Sequence, residues 1–321
     1  MQTPGLPEPG DVDAALDLAR ELGRSAPRPG SGTTRELWHL LEDIAAHDLG
    51  TARVVEPHLD AIAILEQAGR DPVSEAGQTW GVFAAEGGTD PLTARRTPTG
   101  WRLDGTKPWC SLAARLDRAL VTAHVGGERG LFSVALADTG VSPSDTEWPA
   151  RGLSEIPSGP VTFDGVHAEM IGAEQWYLRR PGFAWGGIGV AACWYGGAVA
   201  LGRRLHAAPA ESEFAQMHLG AVDAVLQDAR RALDEGARSI DDGSAIGAAG
   251  SLLAKRIRMT VASAVETVLL RVGHALGPGP LATEPEHAKG VADLQLYVRQ
   301  HHAERDQASL GRSIAGGPAP W

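Results

Sequence analysis

The chain has 321 residues, 43% hydrophobic and 21% charged, enough for a large core in two or three layers. Its formal net charge of −11 argues against nucleic acid as a partner, because phosphate backbones are bound by clustered Lys and Arg. No apolar run reads as long enough to span a membrane, the Pro-rich acidic start does not read as a signal peptide, and two distant cysteines, Cys110 and Cys193, exclude a disulfide framework, which makes the cytoplasm the expected location.

Residues 1–32 are rich in Pro, Gly and Ser around one short helical patch at 12–22, and read as a flexible N-terminal segment. From Thr33 the apolar period becomes helical. Thr33 or Thr34 can cap, Glu36 sits in the first turn, and Leu37, Leu40, Leu41, Ile44 and Ala45 share one face. A second helix is expected over 49–67, interrupted or restarted near Pro57 and ended by Gly69-Arg-Asp-Pro72. Residues 33–78 thus read as a short N-terminal helical domain.

Residues 79–170 change character. β-like runs at 79–85, 101–103, 119–124, 131–136 and 161–166 are punctuated by Gly, Pro and Asp, and predict a middle β domain, a sandwich or open barrel. Residues 171–321 return to helical periodicity. Helices are expected at 183–207, 213–240, 248–276 and 288–313, and their length and short loops predict an antiparallel four-helix bundle. The first carries Gly186, Gly187, Gly189, Gly196 and Gly197, which permit close approach of another helix or of a flat cofactor.

The densest chemistry lies at Leu103-Asp-Gly-Thr-Lys-Pro-Trp-Cys-Ser111. A strand enters a Gly turn and delivers Lys107, Trp109 and Ser111 in quick succession. An indole face can stack on a flat ligand, and a hydroxyl beside it can hydrogen-bond a ring acceptor. Cys110 reads as a small packed residue between them.

This stretch, with Glu86-Gly-Gly-Thr-Asp90 before it and Leu116-Asp-Arg-Ala-Leu-Val-Thr-Ala123 after it, resembles the flavin-binding middle domain of the acyl-CoA dehydrogenase family. The order of helices, β domain and four-helix bundle resembles that family over roughly residues 34–312. The resemblance implies a mainly α fold with a central β domain, FAD as cofactor, and flavin contacts from Trp109, Ser111, Glu86 and Thr89. It further implies a small-molecule substrate such as an acyl-CoA thioester, electron exchange with an electron-transfer flavoprotein, and a homodimer or homotetramer.

Several positions depart from the family pattern. The acidic loop at Glu86 is shorter. Glu211-Ser-Glu-Phe214 stands where the family has an Arg that meets the flavin pyrophosphate, leaving Arg203, Arg204 or a partner-chain Arg to compensate. Ala292-Asp293 fills the family's Arg-Asp place, and His301-His302 stands where the catalytic Glu is expected. The helix at 183–207 has no carboxylate to serve as an alternative base. Glu304, one turn from His301, and His301 itself are therefore the candidate bases for α-proton abstraction with hydride transfer to the flavin. A branch of the same fold that includes dibenzothiophene monooxygenase lacks the Glu and carries a His in this region. The segment Glu213-Phe-Ala-Gln-Met-His-Leu-Gly220 and the His301-His302 pair resemble that branch, which implies reduced FMN or FAD as a diffusible cosubstrate and a flavin reductase as partner.

Two readings from other classes stand beside these. A non-catalytic homologue, acting as a binding or partner subunit, would also lack the base and the pyrophosphate Arg. A di-iron bundle would use Glu-x-x-His pairs, and Glu36-Leu-Trp-His39 and Glu284-Pro-Glu-His287 match. The mid-chain β domain is foreign to that architecture. No Gly-x-Gly-x-x-Gly follows a strand, which removes a dinucleotide-binding fold.

Overall fold

The computed structural model describes residues 5–145 and 147–319. Helix α1 (Val12–Ser25) is capped by Asp11, whose carboxylate accepts from the Ala14 amide. It buries Ala15, Leu16, Leu18, Ala19 and Leu22, and packs on α3 (Leu49–Gln67). The segment expected to be flexible is therefore a packed helix from residue 12 onward, because its apolar spacing supplies a full face for burial. Residues 1–4 lie outside the described residues.

Helix α2 (Thr34–His47) follows, and Asp48 then caps α3 through the Thr51 amide at 2.7 Å. The interruption expected at Pro57 does not occur: α3 runs straight through it. The proline nitrogen cannot donate to the Arg53 carbonyl one turn back. Burial of Val54, Val55, Leu59, Ile62, Ile64 and Leu65 on its flanks compensates for that lost bond. A short α4 (Pro72–Glu75) leads to the β domain.

The strands are β1 (Trp80–Phe83), β2 (Thr93–Thr97), β3 (Gly100–Lys107), β4 (Arg118–Val125), β5 (Glu128–Ala135), β6 (Val141–Pro143) and β7 (Val161–Ile171). The hydrogen-bonded ladder passes from β4 to β5, β7, β3 and β2, all antiparallel. A single parallel bridge between Thr93 and His124 returns β2 to β4. The circuit therefore closes into a small barrel. Strand β1 lies parallel on β4, and β6 lies on β7. Strands β2 and β6 were not expected from the sequence: in β2 only Ala94 is buried, so the polar run hides the strand period. At Gly105, φ is +118° and a Cβ would come within 2.8 Å of the Pro91 carbonyl oxygen, so the bulge between β3 and β7 needs glycine.

After α5 (Trp176–Arg179) come α6 (Gly182–His206), α7 (Glu213–Asp241) and α8 (Gly247–Leu276), close to the predicted ranges. The predicted fourth helix is broken. It comprises α10 (Pro285–Tyr297) after a short α9 (Pro278–Thr283), then a 3-10 turn (Val298–Gln300) and α11 (Glu304–Ile314). Ala303 takes φ +44° at the break, which ends the helical path.

Helix α6 is the axis of the bundle and contacts α2, α3, α7, α8 and α10. Its glycines serve helix packing: a Cβ on Gly196 would meet the Glu42 carbonyl oxygen at 2.3 Å, and one on Gly186 the Asp60 carboxylate at 2.8 Å. The expectation that no segment is long and apolar enough for a membrane span is corrected. Helices α6 and α8 meet that length and composition, with mean hydropathies of 1.3 and 1.2. In α6, 61% of that stretch is buried within the protein, as expected of a core helix.

Lys289 of α10 fastens the three parts together. Its Nζ lies 2.8 Å from Asp48, 2.7 Å from Glu155 and 2.6 Å from Asp293. Asp293 also accepts from the Leu153 amide at 2.6 Å. These three carboxylates are spaced closely enough for a metal ion, but the ammonium already sits among them.

Candidate functional site

Strand β3 ends in Lys107, whose side chain is 3% exposed and donates to Glu86 Oε1 at 3.0 Å and Thr122 Oγ1 at 2.8 Å. The chain then turns sharply. Trp109 adopts φ +59° and Leu112 φ +55°, both unusual for these side chains. The turn is stitched to the loop before β7 by the Cys110 amide to Gly159 at 2.9 Å and the Leu112 amide to Pro157 at 2.8 Å. Cys110 points inward, and burial pushes its thiol up to about 12. Trp109 points outward, 62% exposed, edge-on to Trp148 with centroids 6.5 Å apart.

Ser111 is buried beside it. Its hydroxyl lies 2.7 Å from the Ser158 hydroxyl and accepts from Arg53 Nη2 at 3.0 Å. Arg53 reaches from α3 and also lies over the Tyr297 ring, 5.7 Å from its centroid. Tyr297 meets Trp194 edge-on at 6.4 Å, and Trp194 meets His301 edge-on at 6.5 Å. A continuous seam therefore runs from the Ser111 turn through α3 and α10 to α6 and His301.

His301 is buried, with Nε2 3.9 Å from Asp306. Burial holds its titration below the ordinary imidazole range; Asp306 opposes this and Arg258 reinforces it. Glu304 is exposed on the first turn of α11 and makes no side-chain contact with the seam among the described residues. Glu86 is engaged by Lys107, by Arg129 at 3.8 Å, and by the His124 ring at 3.1 Å. Burial opposes its ionisation, yet Lys107 and these neighbours hold its carboxyl below the usual range. Thr89 lies exposed in the loop at 87–90. The structure thus joins the turn of Trp109 and Ser111 to His301 through one seam, pairs Glu86 with Lys107 at the edge of the β domain, and leaves Thr89 and Glu304 exposed.

Arg204, one candidate to replace the missing pyrophosphate Arg, is held by Glu284 through two bonds of 2.7 Å. Arg203 is exposed and makes no ion pair among the described residues.

Sequence reasoning missed Arg53, Glu56 and Asp60. Their spacing was the available signal: positions i, i+3 and i+7 put three charged residues on one face of an otherwise apolar helix. It also missed Arg258 of α8, which lies half-buried over the Trp194 ring.

The gap between α3, β1 and the Ser111 turn, lined by Arg53, Pro57, Trp80, Phe83, Ser111 and Leu112, holds only about 20 Å³. A tricyclic flavin ring does not fit inside it. The outward face of Trp109 is open and suits stacking of such a ring, with Ser111 beside it. A larger cleft of about 480 Å³ lies elsewhere, between α2, α6 and α7, lined by Arg35, Glu42, Tyr195, Arg203 and Arg230.

The closed β domain between an N-terminal helical layer and a C-terminal bundle is the acyl-CoA dehydrogenase fold. Among solved structures, FMN-bound TdsC from Paenibacillus sp. A11-2 superposes with a TM-score of 0.80 at 16% identity, over 95% of this chain and 90% of that one. TdsC is a dibenzothiophene monooxygenase. Butyryl-CoA dehydrogenase from Megasphaera elsdenii gives 0.79 at 14%, over 93% and 89%. Methanesulfinate monooxygenase MsuC from Pseudomonas fluorescens gives 0.78 at 17%, over 97% and 91%. At these identities the likeness establishes the fold. No protein-family model matches the chain, and no curated protein matches it.

Proposed function

We propose that this chain is a flavin-dependent oxidoreductase that uses reduced FMN or FAD and dioxygen to oxidise a small molecule. The observation that carries this reading is the placement of the proton-transfer groups. Helix α6 offers no carboxylate and Glu304 faces solvent, whereas His301 is buried on the Trp194 platform. An imidazole held neutral can act as a proton acceptor. It is a weak substitute for the ionised carboxylate that α-proton abstraction from a thioester needs.

When bound, reduced flavin supplies the two electrons. Trp109 presents its face to the ring, and Ser111, held by Arg53 and Ser158, orients a polar edge. His301, its titration held down by burial, offers a proton acceptor at the far end of the seam. Glu211 in place of the pyrophosphate Arg, with Arg204 held by Glu284, favours a flavin that diffuses in from a reductase over one held permanently. Self-association is also part of the proposal. The His218–His274 ring contact at 6.0 Å sets the start of α7 beside the end of α8, where Phe214, Met217 and Leu270 are exposed.

The dehydrogenase reading keeps equal support from the shared fold, and one experiment separates the two. Purified protein is mixed anaerobically with chemically reduced FMN, then with FAD, and binding is followed by absorbance and fluorescence before air is admitted. Capture of reduced flavin with altered oxygen consumption is expected. Bleaching of bound oxidised FAD by an acyl-CoA would instead establish the dehydrogenase. Failure to bind either flavin form would leave a partner subunit without redox chemistry.

A further inference from the structure

The cleft of about 480 Å³ between α2, α6 and α7 is the larger of the two cavities and takes no part in the chemistry described so far. Gly196 sets its floor: a Cβ there would meet the Glu42 carbonyl oxygen at 2.3 Å, so α2 reaches the α6 backbone at that point. Tyr195 stands beside it, 8% exposed, and its hydroxyl makes no hydrogen bond among the described residues. Val199 and Arg203 follow Tyr195 at four-residue intervals, so α6 turns one stripe to the cleft. Arg230 and Asp234, one turn apart, give the same from α7.

The charges that line the cleft divide into paired and unpaired. Arg35 of α2 is paired: its Nη1 donates to Glu42 Oε1 at 2.5 Å and its Nε pairs with Asp234. Arg203 and Arg230 are exposed, and their side chains make no hydrogen bond or ion pair among the described residues. The chain has 40 Asp and Glu against 29 Lys and Arg, yet these two guanidiniums meet none of the carboxylates. Asp43 on the opposite wall is exposed and equally unpaired. The two walls act on each other across the opening. Burial and Arg35 lower the His39 titration, Arg230 from α7 lowers it further, and Asp43 from α2 raises it.

A ligand with negative charge alone would be drawn to the arginines and repelled by Asp43 and Asp234. A ligand that also carries an ammonium satisfies both walls, and the volume is that of a small-molecule site. We propose that this cleft binds a free amino acid, its carboxylate received by Arg203 and Arg230 and its ammonium by Asp43. A guanidinium fork matches a carboxylate with two parallel hydrogen bonds. Tyr195 and Val199 border the space left for the amino acid's side chain. The cleft shares no lining residue with the Trp109 turn or the His301 seam, so the site stands whether or not flavin binds.

The test uses the full chain. The standard amino acids are titrated singly, to millimolar concentration, and binding is read by calorimetry. At least one is expected to bind. Its affinity is expected to fall by about tenfold or more in Arg230→Gln and in Asp43→Asn, the loss of one hydrogen bond to a charged group, and Asp43→Glu to recover most of it. Both positions are at the surface, so the variants are expected to fold as wild type, checked by circular dichroism. The methyl ester and the N-acetyl form of the bound amino acid are each expected to bind about tenfold more weakly or worse. Absence of binding by every amino acid overturns the inference. A bound amino acid whose affinity survives both substitutions overturns it too, because that ligand lies elsewhere. Equal affinity for the matching acid without its amino group does the same, and leaves a plain anion site.

Discussion

Arg258 lies over the face of Trp194, its guanidinium carbon 4.6 Å from the ring centroid. The same guanidinium binds the Gly187 carbonyl of α6 and the Gln300 carbonyl just ahead of His301. One side chain thus fixes the aromatic platform and the turn that presents the imidazole. Its flat fork suits both stacking and two carbonyls, which a lysine would not reproduce.

In Arg258→Met the stem volume is kept and the charge removed. Burial still holds the His301 titration down, but the repulsion from Arg258 is gone and the attraction of Asp306 remains. His301 is expected to titrate at higher pH in the variant, read from its imidazole resonances. An identical titration would show that Arg258 acts on packing alone.

Trp109→Ala removes an exposed indole at a surface turn. Folding stability is expected to change by less than about 0.5 kcal/mol, as for other surface substitutions. Flavin affinity is expected to weaken by roughly three- to tenfold, the worth of one aromatic stacking contact. Equal flavin binding, measured by fluorescence titration against wild type, would remove Trp109 from the site.

Lys289→Met leaves Asp48, Glu155 and Asp293 facing one another without a cation. A loss of about 3 kcal/mol is expected at neutral pH. Burial disfavours the Lys289 charge, but its bonds to Asp293, Asp48 and Glu155 raise its titration above the ordinary range, so its contribution is complete at neutral pH. On the acid side, burial opposes ionisation of Asp48, but Lys289 and Thr51 hold it below its usual value. That stability is lost on acidification, and without Lys289 protonation relieves the repulsion. The thermal-melting deficit of the variant should therefore narrow as pH falls through the carboxylate range. A constant deficit would mean that only packing was lost.

His58 is buried under β1, where its Nδ1 accepts from the Trp80 amide at 3.3 Å. Burial, with Arg20, Arg28 and Arg24 nearby, lowers it from the ordinary 6.5 to about 4. Below 6.5 the unfolded chain takes up a proton that the folded one refuses. Stability is full above that value and falls until the folded imidazole titrates near 4, a loss of about 3 kcal/mol. His58→Gln should flatten this part of the denaturation profile. A wild-type profile that is already flat there would contradict the neutral buried imidazole.

The fold was legible because its signals are local and redundant. The apolar stripes of α2, α6, α7 and α8 and the runs of β1, β4, β5 and β7 each repeat their period several times. What stayed hidden depends on contacts between distant residues. Leu16, Leu18 and Leu22 already marked α1, but the Pro and Gly around them masked how firmly α3 would hold it. Strand β2 carries two arginines and two threonines, and only the ladder with β3 makes it a strand. At the site, the Trp109 and Ser111 motif was readable as a string. The engagement of Lys107 by Glu86 depends on the loop after β1 meeting β3 and β4, and the spacing of Arg53, Glu56 and Asp60 marks a charged face of α3 without saying what packs against it.

Pro57 gives α3 an uneven grain. The Arg53 carbonyl lacks its usual rung in the very turn that carries Glu56, and Pro57 itself lines the narrow gap beside Ser111. The backbone has least to lose by yielding there. Widening of the gap would begin at this turn, with β1 and the Ser111 turn facing it across the opening.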